Sequence, residues 1–482
     1  MADSPQGRSA TTASTIGLFA GPLLLLLCML TDPPVGLSDI AWRTVGLAAL
    51  MAVWWATEAI PIPITSLLPI LLLPLLGISD MAKATAPYAN PTIFLFFGGF
   101  MLGLGMQRWN LHKRIALVTL QAVGSQPSRQ IAGFMIATAF ISMWVSNTAT
   151  SIMMLPIGLS VISLLVANSD PKDSDRFATA LLLGIAYAAS VGGIATLIGT
   201  PPNALLAAFL RENHDVHIGF GQWMLLGVPV ALGMLTFVWW WLTRGGFKLA
   251  GGDSQQLLRD QLDELGPMST AEKRVAAVFV LAALSWIFQP LLAGFIPGVN
   301  DTSIAIAAAI LLFLIPADWN KRIFLMDWQQ ANKMPWGVLL LFGGGLSLAG
   351  AISSSGLAVW IGEGLQGFGA LPLILMIGLV TLVITFLTEV TSNTATAAAF
   401  LPLLGAVAVS QGLPPEMLAI PAAVAASCAF MMPVATPPNA IVFATGQVRI
   451  QSMMRSGLAL NLFGVFFVTL LCYALIGVIW GH

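Results

Sequence analysis

Apolar runs separated by short polar stretches recur along the whole chain, and eleven of them approach the length of about 20 residues that a helix needs to cross ~30 Å of hydrocarbon. They lie near 14–31, 40–57, 62–78, 91–107, 177–198 and 221–243, then near 273–293, 301–316, 335–352, 414–448 and 456–480. Two further apolar stretches, 129–167 and 371–411, are interrupted by polar residues and look too broken to cross. The run at 14–31 follows Arg8 in the manner of a signal peptide. It has no small-residue cleavage site before Asp32, so the pattern predicts an uncleaved first helix. Between the halves, 245–272 is the one long polar stretch. It reads as a plain linker, although Leu257, Leu258, Leu262 and Leu265 have the spacing of a short amphipathic helix.

Composition agrees with this pattern. With 57% hydrophobic and 9% charged residues, the 482-residue chain cannot clothe a soluble globule, which needs about a quarter of its residues charged. Its surface must face lipid, and no separate soluble domain is hidden in it. A net charge of -1 leaves no basic face for nucleic acid. Cys28, Cys428 and Cys472 sit within apolar segments as small packing residues.

Lys and Arg set the orientation, because short loops that carry them stay on the cytoplasmic side. A cytoplasmic N-terminus leaves only Arg43, Lys83 and Arg211 of the 20 Lys and Arg residues outside. That distribution requires 129–167 to enter and leave by the cytoplasmic face and 371–411 by the outer face. The charges thus predict two opposed re-entrant hairpins in an inner-membrane, multi-pass protein.

The halves also share motifs. Phe96-Phe97-Gly98-Gly99 matches Leu341-Phe342-Gly343-Gly344, and Val145-Ser146-Asn147-Thr148-Ala149-Thr150 matches Thr391-Ser392-Asn393-Thr394-Ala395-Thr396. Leu155-Pro156 and Leu401-Pro402 follow at the same spacing, and Thr200-Pro201-Pro202-Asn203 returns as Thr436-Pro437-Pro438-Asn439. With the charge assignment, these are inverted repeats, an arrangement typical of secondary transporters.

SNT and TPPN are poor continuous-helix sequences, so the helices are expected to break there. Broken backbone at membrane depth is tolerated only around a protein-lined cavity, and the four breaks are therefore expected to meet. Helix N-termini there favour an anion, while free carbonyls and Ser, Thr and Asn oxygens favour a cation. One anion site flanked by two sodium sites fits this chemistry. Glu58, near a membrane face, and Glu389, just before the second hairpin tip, are the charged candidates. Both are expected to be structural, Glu389 by capping the hairpin or balancing cation charge. An intramembrane enzyme would show HExxH, a Ser nucleophile with His or paired aspartates, and none occurs. His112, His214, His217 and His482 are expected in loops or at the terminus.

Through the paired SNT and paired TPPN motifs, nearly the whole chain resembles the divalent anion:sodium symporter (DASS) family of sodium-coupled dicarboxylate, citrate and sulfate carriers. The resemblance implies an all-α polytopic fold of about eleven transmembrane helices with two re-entrant hairpins, working as a homodimer by an elevator mechanism. Residues 1–128 and 246–370, the latter including the linker, would form the scaffold, and 129–245 with 371–482 the moving transport part. It implies one sodium site at Ser142, Ser146, Asn147 and Gly199, and a second at Thr388, Thr391, Asn393 and Ala435. The anion would meet Asn147, Thr148, Asn393 and Thr394, with Thr200, Pro201, Thr436 and Pro437 at the TPPN breaks. Because no Lys or His replaces a residue in either motif, sodium symport of a C4-dicarboxylate such as succinate, malate or fumarate is favoured. A sodium-independent exchanger and a carrier of sulfate or citrate remain the alternatives.

Overall fold

The computed structural model describes residues 12–167, 169–249, 254–364 and 371–481. Its first two helices, α1 (Thr12–Leu30) and α2 (Asp39–Thr57), pack side by side. The Ser38 hydroxyl accepts the Ala41 N–H to start α2, and exposed Glu58 ends it in the left-handed region at φ 47°. The apolar stretch expected to cross at 62–78 is broken instead, into α3 (Ile62–Thr65) and α4 (Leu68–Leu75). Pro61 and Pro63 open α3, and the break at Ser66–Leu67 precedes Pro69, which sits in the first turn of α4 and has no N–H to bond back to Thr65.

Short α5 (Met81–Thr85) and a 3-10 turn (Ala86–Ala89) lead into α6 (Pro91–Arg108), followed by α7 (Leu111–Ala122). A hairpin comes next, α8 (Pro127–Ser142) turning at 143–146 into α9 (Asn147–Leu165). Then α10 (Pro171–Ile194) runs to the first TPPN, where α11 (Pro201–His214) starts, and α12 (Phe220–Thr243) closes the half. The polar linker is more than a linker, because α13 (Ser254–Glu264) forms in it and fully buried Leu258 seats that helix against α7 and α9.

The second half opens with α14 (Thr270–Ile287), which bends by 84° into α15 (Gln289–Phe295), so the expected crossing at 273–293 is a broken one. Pro290, in the first turn of α15, cannot donate to the preceding helix. After α16 (Asp301–Leu314) the chain makes a small antiparallel pair, β1 (Pro316–Asp318) and β2 (Ile323–Phe324). Then follow α17 (Trp328–Ala331), α18 (Trp336–Ser354) and α19 (Leu357–Gly364). The second hairpin is α20 (Leu373–Thr388) turning into α21 (Asn393–Ser410). The stretch expected to cross as one segment at 414–448 is α22 (Glu416–Ala426), non-helical backbone over most of 427–436, and α23 (Pro437–Phe443). A single long helix, α24 (Ile450–Trp480), completes the described chain.

Nine helices among the described residues are long and apolar enough to cross a membrane, or ten with the bent pair, and this set counts the hairpin arms α9 and α21. The expected eleven crossings are not reached by length alone, because α16 and α22 are short and the 62–78 stretch is split.

Helices that precede the TPPN motifs sit innermost. Of the apolar window of α10, 94% is buried, against 17% for α1 and 28% for α24, and every residue of α22 is buried. Small residues make this possible. A Cβ added to Gly192 of α10 would stand 2.4 Å from the Ala139 carbonyl oxygen of α8, so these two backbones touch. The first shared motif pair also meets in the core, where Phe96 and Phe342 pack edge to face at 5.2 Å. Gly192→Ala is expected to lower stability by about 1–3 kcal/mol, the usual cost of overpacking, because the obstructing atom is backbone. A thermal melt of the detergent-solubilised variant reads this directly, and an unchanged midpoint would show that α8 and α10 can part freely.

Candidate functional site

The first hairpin turns immediately after Ser142, which is wholly buried at the end of α8. Its Oγ lies 2.6 Å from Asn147 Oδ1 and 2.7 Å from the Ala189 carbonyl oxygen of α10. The second hairpin repeats this, with Thr388 Oγ1 2.7 Å from Asn393 Oδ1 and 3.0 Å from the Ala426 carbonyl oxygen at the end of α22. Each cluster therefore holds three oxygens at contact distance and one hydroxyl hydrogen to share among them. One close oxygen pair in each lacks a proton between its members. In a dry interior that is unfavourable unless positive charge joins the cluster.

Gly199 belongs to the first cluster. The point where a Gly193 Cβ would stand is 2.9 Å from Asn147 Oδ1 and 3.0 Å from the Gly199 carbonyl oxygen, so a side chain there would fill the space between them. Asn147, Gly199 and Ser142 are thus brought near one another. Ser146 points elsewhere: its side chain caps α9 by accepting the Ala149 N–H, and its carbonyl accepts the Thr150 N–H. Thr391 likewise donates back to the Leu387 carbonyl or shares its hydrogen with Thr396 Oγ1 at 2.6 Å. Ala435 is buried, and its N–H is bonded to the Met432 carbonyl.

The anion candidates lie at helix starts. Asn147 and Thr148 open α9, Asn393 and Thr394 open α21, and all four are half-buried. Buried Thr200 and Thr436 are the N-caps of α11 and α23, with half-buried Pro201 and exposed Pro437 as first helical residues, positions where a missing N–H costs nothing. Free N–H groups are consequently available at the starts of α9 and α21, whereas α11 and α23 each open on two prolines and their next N–H groups, of Asn203 and Asn439, are bonded back to Thr200 and Thr436. The halves interlock here: α23 packs on α9 and α10, and α11 packs on α21 and α22. Thr200 Oγ1 stands 3.4 Å from Ser427 Oγ across the two repeats.

The asparagines of both TPPN motifs hold the unwound backbone. Asn203 Nδ2 donates to the carbonyls of Gly193, Ile194 and Thr196, the last at 2.9 Å. Asn439 Nδ2 donates to the carbonyls of Ala429 and Met432, with the latter at 3.1 Å. Carbonyls that a broken helix would leave bare are so satisfied in the same way twice.

Glu389 has no counterpart in the first repeat, where Met143 stands at the matching position. Its carboxylate accepts the N–H groups of Phe430 at 2.6 Å, Met431 at 2.9 Å and Met432 at 3.0 Å, and the Asn461 amide of α24 at 2.7 Å. It fastens the second unwound stretch instead of capping the hairpin. The first tip is fixed differently. Trp144 stacks near Phe220 at 6.0 Å and Trp286 at 6.5 Å and meets Phe279 edge-on at 4.9 Å.

Sequence reasoning missed several of these groups. Ala189 and Ala426 act through carbonyls, which carry no side-chain signature. Ser427 and Asn461 were legible only as isolated polar residues in apolar runs. His112 and His214 are not in loops: His112 is in the first turn of α7 and His214 ends α11. Burial outweighs the bond to the Met106 carbonyl, which favours the charged ring, and holds His112 below the usual histidine pKa. Among the described residues, no three His, Cys, Asp or Glu side chains gather as a metal site.

A sequence profile of the sodium:sulfate symporter transmembrane region matches residues 12–482. The chain belongs to this family. It is a multi-pass membrane transporter, and not an enzyme. It is 44% identical over 492 residues to the sodium-dependent dicarboxylate transporter SdcS of Staphylococcus saprophyticus, covering 99% of this chain and 94% of that protein. The SdcS protein of Staphylococcus aureus strain MRSA252 is also 44% identical, over 494 residues, with the same coverage. In fold, the chain is similar to MtrF of Neisseria gonorrhoeae, described among antimetabolite efflux pumps, with TM-score 0.57 and 14% identity over 97% of this chain and 95% of that one. The YdaH transporter of Alcanivorax borkumensis matches with TM-score 0.56 and 14% identity over 98% and 99%.

Proposed function

We propose that this family member is a secondary active transporter that carries a C4-dicarboxylate together with sodium ions. The paired oxygen clusters support this most: Ser142–Asn147–Ala189 and Thr388–Asn393–Ala426 each gather three oxygens around one hydroxyl hydrogen. A sodium ion in each cluster would supply the missing positive charge, with Gly199 completing the first shell and Ala435 the second. The sodium-dependent dicarboxylate transporters at 44% identity point to the same ion and substrate class.

The dianion would lie between the hairpin tips, at the N-termini of α9, α21, α11 and α23. Asn147, Thr148, Asn393 and Thr394 would donate to its carboxylates, and Thr200, Pro201, Thr436 and Pro437 would frame it. No Lys or Arg stands in either SNT or TPPN motif, so bound sodium would carry most of the charge compensation. Asn147 and Asn393 would touch both ion and substrate, which is how occupancy of one would favour the other. We read the protein as a plasma-membrane homodimer with its N-terminus in the cytoplasm. Residues 129–245 and 371–482 would move as the elevator against the remainder.

Ser142→Ala and Thr388→Ala test the ion assignment. Each removes one oxygen next to a bound cation, worth about 1.5–3 kcal/mol, and should raise the sodium concentration for half-maximal succinate uptake by at least about tenfold. Maximal uptake at saturating sodium should fall far less. A lowered maximum with unchanged sodium dependence would place these hydroxyls outside the ion sites.

A further inference from the structure

Away from the hairpin tips, a cavity of about 990 Å³ opens between the far end of α9, the start of α10, the end of α12, the residues after α23 and the start of α24. Lys172, Arg176, Arg244, Arg449 and Arg455 line it, against the single carboxylate Asp175. Both repeats contribute, yet none of the SNT or TPPN residues reaches it. Some of this charge is already engaged. Arg449 pairs with Asp175 at 3.1 Å, and Arg176 is 3.7 Å from Asp173. Lys172, Arg244 and Arg455 form no ion pair among the described residues. The Arg244 guanidinium carbon stands 3.5 Å from the centre of the Trp241 ring, a cation–π contact that holds this charge at the cavity wall.

Positive-inside sorting explains basic residues at this level but not their convergence on one hollow. Apolar groups share the lining, Leu159, Ile162 and Val166 from α9 with Trp241 and Leu242 from α12. Next to them Trp240 is 51% and Trp239 37% exposed, the pairing of tryptophan with arginine that marks a membrane–water interface. A ligand suited to this hollow carries an oxyanion at one end and hydrocarbon at the other.

We infer that this cavity binds the headgroup of an anionic phospholipid from the cytoplasmic leaflet. The phosphodiester faces Arg244 and Arg455, and the acyl chains lie along α9 and α12. Basic pockets between membrane helices on the cytoplasmic side recognise such headgroups. The lipid would bridge the two repeats, joining α10 and α12 of the first to α24 of the second. This rests on the orientation proposed above but not on the transported substrate.

The test uses the full-length protein in neutral detergent, titrated with cardiolipin, phosphatidylglycerol, phosphatidylcholine, inorganic phosphate or succinate while thermal stability and native mass are followed. Cardiolipin and phosphatidylglycerol should stabilise the wild type and remain bound, and phosphatidylcholine should not. The double variant Arg244→Gln, Arg455→Gln should bind cardiolipin about thirtyfold more weakly, and Arg244→Lys, Arg455→Lys should keep most of the affinity, since each basic residue contributes a similar electrostatic increment. Lipid binding unchanged in the glutamine variant would overturn the inference. So would equal stabilisation by phosphatidylcholine, or saturation of the effect by inorganic phosphate alone, the last making the cavity a site for free anions; stabilisation by succinate, expected at the hairpin tips, should be the same in the wild type and the glutamine variant. Because none of these readouts uses transport, failure here leaves the sodium and dicarboxylate reading standing.

Discussion

Glu389→Ala should be the most destabilising single change in the transport core. The carboxylate gathers three consecutive backbone N–H groups, Phe430 to Met432, and the buried Asn461 amide, and it is itself only 4% exposed. Removing it leaves those donors unpaired away from water, at ~1–3 kcal/mol each before the backbone relaxes, for a total of about 3–6 kcal/mol. The effect should be larger than that of Asn461→Leu, which removes one donor and leaves the three backbone bonds. Glu389→Gln keeps one acceptor oxygen but turns an NH2 group toward backbone N–H groups, so it should fall between the two. Melting of the purified variants gives the order, and a Glu389→Ala protein as stable as the wild type would show that residues 430–432 hold their shape without the clamp.

Asn147→Ala and Asn393→Ala carry the largest expected loss of function. Each side chain is half-buried, opens a hairpin arm and presents Oδ1 to the hydroxyl oxygen of Ser142 or Thr388. In the proposed mechanism each touches both a sodium ion and the dianion. Losing one bond to a charged group costs about 1.5–3 kcal/mol, or roughly 10- to 150-fold, and losing two at once exceeds that. Sodium-driven uptake should therefore drop by about a hundredfold or more in either variant, with the protein still folding. Asn147→Asp separates the roles: it keeps an oxygen for sodium and sets a negative charge against the substrate, so succinate uptake should vanish while sodium still stabilises the protein against heat. If either alanine variant transports within about twofold of the wild type, less than a single hydrogen bond's worth, that tip is not in the binding site.

The breaks were legible because each motif appears twice. One SNT is an unremarkable polar patch in a helix, but two at a constant offset, each followed by TPPN, describe a pair of interrupted segments. The innermost position of α10 and α22 has a trace too, in their runs of alanine and glycine. What stayed hidden was backbone. The Ala189 and Ala426 carbonyls complete the oxygen clusters, yet nothing in an alanine says that its carbonyl will meet a hydroxyl from a hairpin. Glu389 was visible as a lone intramembrane carboxylate, but its partners are N–H groups 41 to 43 residues away, a contact set by the break after α22.

Errors in the helix pattern share one cause. Hydropathy averages over prolines, so 62–78 read as a crossing although it splits ahead of Pro69, and 273–293 read as one crossing despite Pro290. The linker helix α13 shows the opposite error. A polar stretch was read as a tether although its leucines repeat with helical spacing, and Leu258 is fully buried. Lys172, Arg176, Arg244, Arg449 and Arg455 served in the sequence only to orient the chain, because their convergence on one cavity depends on how the two repeats interlock.

Uptake of labelled succinate into proteoliposomes containing the purified protein, with an inward sodium gradient or with choline in its place, tests the central claim most directly. The two oxygen clusters predict concentrative uptake with sodium that rises more steeply than linearly with sodium concentration, and none with choline. Succinate uptake that ignores sodium and instead requires dicarboxylate inside the vesicle would contradict the account and make the protein an exchanger.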